Sequence, residues 1–165
     1  MTGRTHLLVG IAAGAMIAQV LHAPLPIMVF SAFAGALGGL LPDIDHPQSI
    51  ISGYTPGSGA LRLLISHRGP THTLLFAVLF SVLWLLSPLP QAAGFAFVSG
   101  IVLHLLCDMA TPAGVRLLWP VSRSSFRIAP RWFLWSSSWI LEMATTFSAI
   151  LLIGICIFAI VKTGF

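Results

Sequence analysis

Five apolar runs, none containing a lysine or an arginine, decide what this chain can fold into. They extend from about His6 to Leu21, from about Pro26 to Leu41, from after Pro70 to before Pro88, from about Ala92 to Ala110, and from about Trp139 to Val161. A bilayer's hydrocarbon core takes about 20 apolar helical residues, and as few as about 17. The first three runs are short, so their ends must sit close to the headgroups. The whole chain holds only 8 Lys+Arg and 4 Asp+Glu, or 7% of 165 residues. A soluble domain carries about 25% charged residues. A soluble globule with 57% hydrophobic residues would expose large patches and aggregate. The sequence therefore predicts an all-α, polytopic membrane bundle of about five transmembrane helices, with residues 1–165 as one embedded domain. It excludes a disordered chain, a coiled coil, a disulfide scaffold and a nucleic-acid reader, so no nucleic-acid partner is expected. Cys107 and Cys156 lie in different runs, with neither disulfide nor zinc-finger spacing. The first run is long for the core of a signal peptide and reads as a span.

The basic residues orient the bundle. Arg4, Arg62, Arg68, Arg116, Arg123, Arg127 and Arg131 fall on one side of a five-span topology, and Lys162 on the other. By the positive-inside rule the arginine side is cytoplasmic, which puts the N-terminus inside and the site described below at the cytoplasmic face of a bacterial-type inner membrane. Residues 111–138 then form a cytoplasmic interfacial loop or short helices. Trp119, Trp132, Trp135 and Trp139 lie on or beside this stretch with Arg123, Arg127 and Arg131. Such a mixture rests on headgroups, either as an anchor alone or to recruit an anionic lipid head. The three arginines recur every four residues and would align on a helix, which Pro120 and Pro130 limit to a short piece. Glu142 reads as a dipole partner at the start of the fifth span.

The remaining ionisable groups converge on that topology. His6 begins span one. Asp43, Asp45 and His46 end span two, His67 and His72 open span three, and His104 and Asp108 lie near the end of span four. Five of the six histidines and three of the four acids thus meet at one face, with His22 left in a turn. Any one of them alone would be an ordinary interfacial residue, but ionisable groups within spans are costly and mark function. Glycines sharpen the picture. Gly35, Gly39 and Asp43 sit at steps of four, as do His6, Gly10 and Gly14, and as do Gly100, His104 and Asp108. Small residues at such steps let membrane helices approach closely. Three glycine-lined faces would lead to polar groups at one end.

Imidazole nitrogen with carboxylate oxygen makes a site for a divalent metal, zinc before manganese, iron or nickel. Eight candidates exceed the four ligands of one zinc. Either two ions bind, or some of the eight orient the ligands. Pro70 suits the first position of span three, which would put His72 in its first turn, near the positive end of the helix dipole.

Leu-Pro-Asp-Ile-Asp-His, His-Arg-Gly-Pro-Thr-His, and His104 and Asp108 followed by Thr-Pro-Ala-Gly114, all after His6, resemble the YdjM-like family of membrane-bound, metal-dependent hydrolases. The resemblance runs to about Pro120. The same order of ligands is similar, more distantly, to zinc-dependent phospholipase C and related nucleases, which are soluble. That likeness implies His6, Asp43, His67, His72, His104 and Asp108 as metal ligands and a phosphoester as substrate. Asp45 or His46 would then be a base or an orienting partner. Arg68 is either a phosphate contact or a positive-inside anchor. Arg123 and Arg127 join it as candidate substrate-binding residues. The competing reading is a metal-binding or metal-transport membrane protein without hydrolytic activity.

Overall fold

The computed structural model describes residues 1–46, 49–54 and 69–163. Six α-helices form among them: α1 (Gly3–Val20), α2 (Leu25–Leu40), the short α3 (Ile50–Tyr54), α4 (Leu74–Leu85), α5 (Gln91–Met109) and α6 (Arg131–Thr163). Two 3-10 turns, Leu41–Asp45 and Pro70–His72, precede α3 and α4. The one β feature described is an isolated bridge between Val115 and Phe126. The expected all-α membrane bundle is what forms. Among the described residues, three helices are long and apolar enough to cross a membrane: α2 with its 3-10 extension to Asp45, α5, and α6 from Ser137 to Lys162. α4 is a shorter apolar helix, and α1 has 18 residues whose apolarity is diluted chiefly by Arg4, His6 and Gln19.

Local chemistry sets the ends. α1 closes with His22 at φ 49°, which donates its N–H to Gln19, while Ala23 donates to Ala18. This pair of bonds satisfies the last carbonyls of a helix whose following residue is left-handed. His22 is therefore a turn residue, as its position suggested. Thr73 is extended (φ −120°, ψ 157°), and its hydroxyl accepts from the N–H of Phe76 at 3.1 Å, an N-cap for α4. That cap corrects the sequence reading of span three. Pro70 and His72 belong to a separate turn before the helix, so the α4 dipole does not set the His72 ring.

The core is a trio of α1, α2 and α5, with α4 packed on α5 and α6 packed on α1. The expected glycine faces meet in the middle. A Cβ at Gly10 would collide with the Gly35 carbonyl, one at Gly14 with that of Ser31, one at Gly39 with that of His6, and one at Gly100 with that of Gly35. Gly38 packs in the same way against the backbone of Phe97. The three backbones touch because nothing projects between them. Beside this seam, Ala34, Ala77, Ala93, Phe97 and Ile101 form a buried cluster, flanked by Phe76, Phe80 and Trp84.

α6 begins at Arg131, earlier than the expected span. Its 33 residues reach about 50 Å at 1.5 Å per residue, against a hydrocarbon core of about 30 Å. Its first turns therefore extend beyond the core and carry the exposed Trp132, Trp135 and Trp139 on one face. Arg123 and Arg127 lie outside any helix. The three arginines do not form a helical row.

Candidate metal centre

Four elements deliver side chains to one end of the core trio. α1 contributes His6 from its first turns. The 3-10 turn after α2 contributes Asp43, the turn before α4 contributes His72, and the last two turns of α5 contribute His104 and Asp108. His6, His72, His104 and Asp108 are buried, and Asp43 is half-buried. The stretch 111–130 folds back beneath them, with Leu117 accepting the N–H of Leu74 at 2.9 Å.

Their donor atoms lie close. The Nε2 atoms of His72 and His104 are 3.2 Å apart. Asp43 Oδ1 stands 3.5 Å from His72 Nε2 and 3.7 Å from His104 Nε2. Asp108 Oδ2 stands 3.7 and 3.9 Å from the same two atoms, and Asp108 Oδ1 is 3.3 Å from His6 Nε2. The rings of His6 and His104 stack with centroids 3.8 Å apart. The Met1 amino group donates to Asp108 Oδ1 at 2.9 Å. Two groups of three ligands result, His6–Asp43–His104 and His72–His104–Asp108, with His104 common to both.

Hydrogen bonds fix which atoms face inward. His104 Nδ1 lies 2.7 Å from the Gly39 carbonyl, which can only accept, so the neutral ring carries its proton on Nδ1. Its Nε2 is then a bare lone pair aimed at His72. His72 Nδ1 lies 3.0 Å from Thr71 Oγ1, a hydroxyl that serves as donor or acceptor. Neither ring nitrogen of His6 makes a hydrogen bond, although the side chain is buried. Buried imidazole nitrogens normally have partners. A divalent ion fits this feature: it would coordinate a His6 nitrogen that no hydrogen bond uses. Size agrees as well. Zinc–nitrogen bonds of about 2.0–2.1 Å place tetrahedral ligand atoms about 3.4 Å apart. The observed separations of 3.2 to 3.9 Å span that value.

The structure thus brings together five of the six expected ligands. His67 lies outside the described residues, as do Arg62 and Arg68. Asp45 is buried on the 3-10 turn and His46 follows it half-buried, but neither belongs to the two ligand groups. Arg127 donates from Nε to Pro112 at 2.8 Å and from a terminal nitrogen to Ala113 at 3.3 Å, bracing the loop. Arg123 is exposed. Glu142 is not at a helix start, since α6 begins three turns earlier. It accepts from the Thr2 N–H and the Thr5 hydroxyl, each at 3.1 Å, and Thr5 also bonds Thr146. These bonds clamp α6 onto α1 beside His6. The roles of the Gly39 carbonyl and of Thr71 have no signature in the pattern of ionisable residues.

This His/Asp assembly sits in a chain with recognisable relatives. The family described as YdjM inner membrane protein matches residues 1–164. The chain belongs to that family. It is 44% identical over 96 residues to the inner membrane protein YdjM of Escherichia coli (strain K12), covering 54% of this chain and 48% of that one. The YdjM protein of Shigella flexneri gives the same figures. The uncharacterized protein YvsG of Bacillus subtilis (strain 168) is 33% identical over 121 residues, 73% of this chain and 74% of that one. The chain spans about half the length of the curated YdjM relatives it matches. No solved structure matches it.

Proposed function

We propose that this chain is a membrane-embedded, metal-dependent hydrolase that acts at the cytoplasmic face on a phosphoester such as a phospholipid. The observation that carries the reading is the pair of ligand groups sharing His104, buried at one end of an apolar bundle. Zinc is the ion proposed, singly or as a pair, held by His6, Asp43, His72, His104 and Asp108, with His67 as a sixth ligand. Bound there, a divalent ion supplies an acidified water and a positive charge for the developing phosphoryl oxyanion. The chain's own residues do the rest. Gly39 and Thr71 hold two imidazoles in register. Asp45 or His46 takes the proton of the attacking water or orients a ligand. Arg68 and Arg123 are the candidate contacts for phosphate oxygens, while Arg127 shapes the loop. In the balanced step the water oxygen bonds to phosphorus, the bond to the leaving alcohol oxygen breaks, and the proton ends on that oxygen.

Among the described residues the donors gather at one end of the bundle, with no ladder of ionisable groups through it, which favours hydrolysis over metal transport. Elemental analysis of purified protein should find stoichiometric metal. A panel of phosphodiesters and phospholipids should then show turnover that the His72→Ala variant loses. Protein without metal, or undiminished turnover in the variant, would sink the proposal.

A further inference from the structure

A cleft of about 600 Å³ runs along the bundle between α5 and α6, with α1 as its floor. It exists because α6 packs chiefly on α1 and stands off α5. Val9, Ala13 and Ile17 form the floor, Val102 and Leu103 one wall, and Ser148 part of the other. The cleft is open along one side, and its walls are helices of a membrane bundle, so the medium that meets it is hydrocarbon. Its volume falls within the roughly 300–1,000 Å³ of ordinary ligand sites.

Position gives this cleft its meaning. Val9 follows His6 by less than one turn of α1, and Ala13 lies two turns along from His6 on the same face. Leu103 immediately precedes His104. At the same level the Glu142–Thr5–Thr146 bonds hold α6 against α1. The apolar cleft therefore begins within a turn of two metal-ligand candidates and leads away from them into the membrane. The smaller groove between α1 and α2, about 370 Å³ and lined by Ala32, Phe33 and Leu37 among others, takes its lining from those two helices alone.

We infer that this cleft holds one acyl chain of a phospholipid whose phosphate lies at the His/Asp centre. The inference rests on the hydrolase reading for the phosphate but makes a separate claim, namely where the chain goes. A lipid then stays partly in the bilayer while its headgroup ester reaches the ligands. Selectivity for long-chain substrates over water-soluble phosphodiesters follows, since only the former fill the cleft.

The test uses the full chain in nanodiscs of phosphatidylcholine containing phosphatidylglycerol with a photoreactive diazirine on one acyl chain. Label should concentrate on the cleft-lining side chains Val9, Ala13, Ile17, Val102, Leu103 and Ser148, read at single-residue resolution. Ser148→Phe and Val102→Trp alter exposed positions of the cleft and should each reduce that label by about tenfold, equivalent to about 1.4 kcal/mol. Ala32→Phe, in the other groove, should leave it unchanged. Label spread evenly over the outer face of α6, at Phe147, Ile150 and Phe158, with no response to the cleft variants, overturns the inference. The two readings fail separately, because labelling needs neither metal nor turnover. Concentrated label on a protein that hydrolyses nothing keeps the cleft and removes the hydrolase. Hydrolysis of a soluble phosphodiester with even labelling does the reverse.

Discussion

His104 is the residue on which both ligand groups depend, and the Gly39 carbonyl fixes its ring from behind. Substitution His104→Ala should therefore empty the centre, whereas His22→Ala, in the turn after α1, should leave metal content unchanged. Elemental analysis after dialysis against trace zinc checks both. Thr71→Val removes the hydroxyl beside His72 Nδ1 without removing a ligand. Loss of such an orienting partner weakens metal binding by about 10–100-fold, which competition with a chelating dye can read. The candidate ligands are legible in the sequence because charge and imidazole are so expensive in an apolar run that each one stands out. Their orienting partners are not. A backbone carbonyl has no letter of its own, and a threonine is equally at home in a turn.

Glycine spacing in α1, α2 and α5 foretold close backbone contacts among these three helices, because a missing side chain at Gly10, Gly35, Gly39 and Gly100 leaves room for another backbone. Gly10→Ala would drive a methyl into the Gly35 carbonyl, and overpacking of this kind costs about 1–3 kcal/mol. Gly154→Ala, with open space around it on α6, should be close to neutral. Thermal unfolding in detergent distinguishes the two. The boundaries of α4 and α6 were less legible. The start of α4 is set by one hydroxyl at Thr73, a contact that hydropathy does not register. The start of α6 was hidden because Arg131 and three consecutive serines, Ser136–Ser138, interrupt the apolar pattern that hydropathy follows, while the helix runs through them. Finding Glu142 inside that helix changes its role from dipole partner to clamp. Glu142→Ala should lower stability by about 1 kcal/mol while leaving metal stoichiometry intact, as its bonds are partly exposed.

For the whole molecule, the single end at which α1, the turn after α2, the turn before α4 and the end of α5 meet is a geometric fact, and its placement at the cytoplasm is the proposal drawn from seven arginines. Single cysteines at Ser124 and Leu89 should be reached by a membrane-impermeant maleimide from opposite sides. Equal access from the cytoplasm would refute that orientation. The sequence predicts about five spans, whereas among the described residues three helices have the length and apolarity to cross: α4 is a turn or more too short, and α1 carries Arg4, His6 and Gln19. The bond from His104 to Gly39 has one more consequence. Gly39 belongs to the seam where α1, α2 and α5 touch, so the lone pair offered to a metal is aimed by the same contact that holds three helices together. With an ion bound at the centre as proposed, its occupancy and helix association would be two faces of one equilibrium. An ion at 100 times its dissociation constant adds about 2.7 kcal/mol to the assembled state. A chelator should loosen the bundle before it is seen to silence any chemistry.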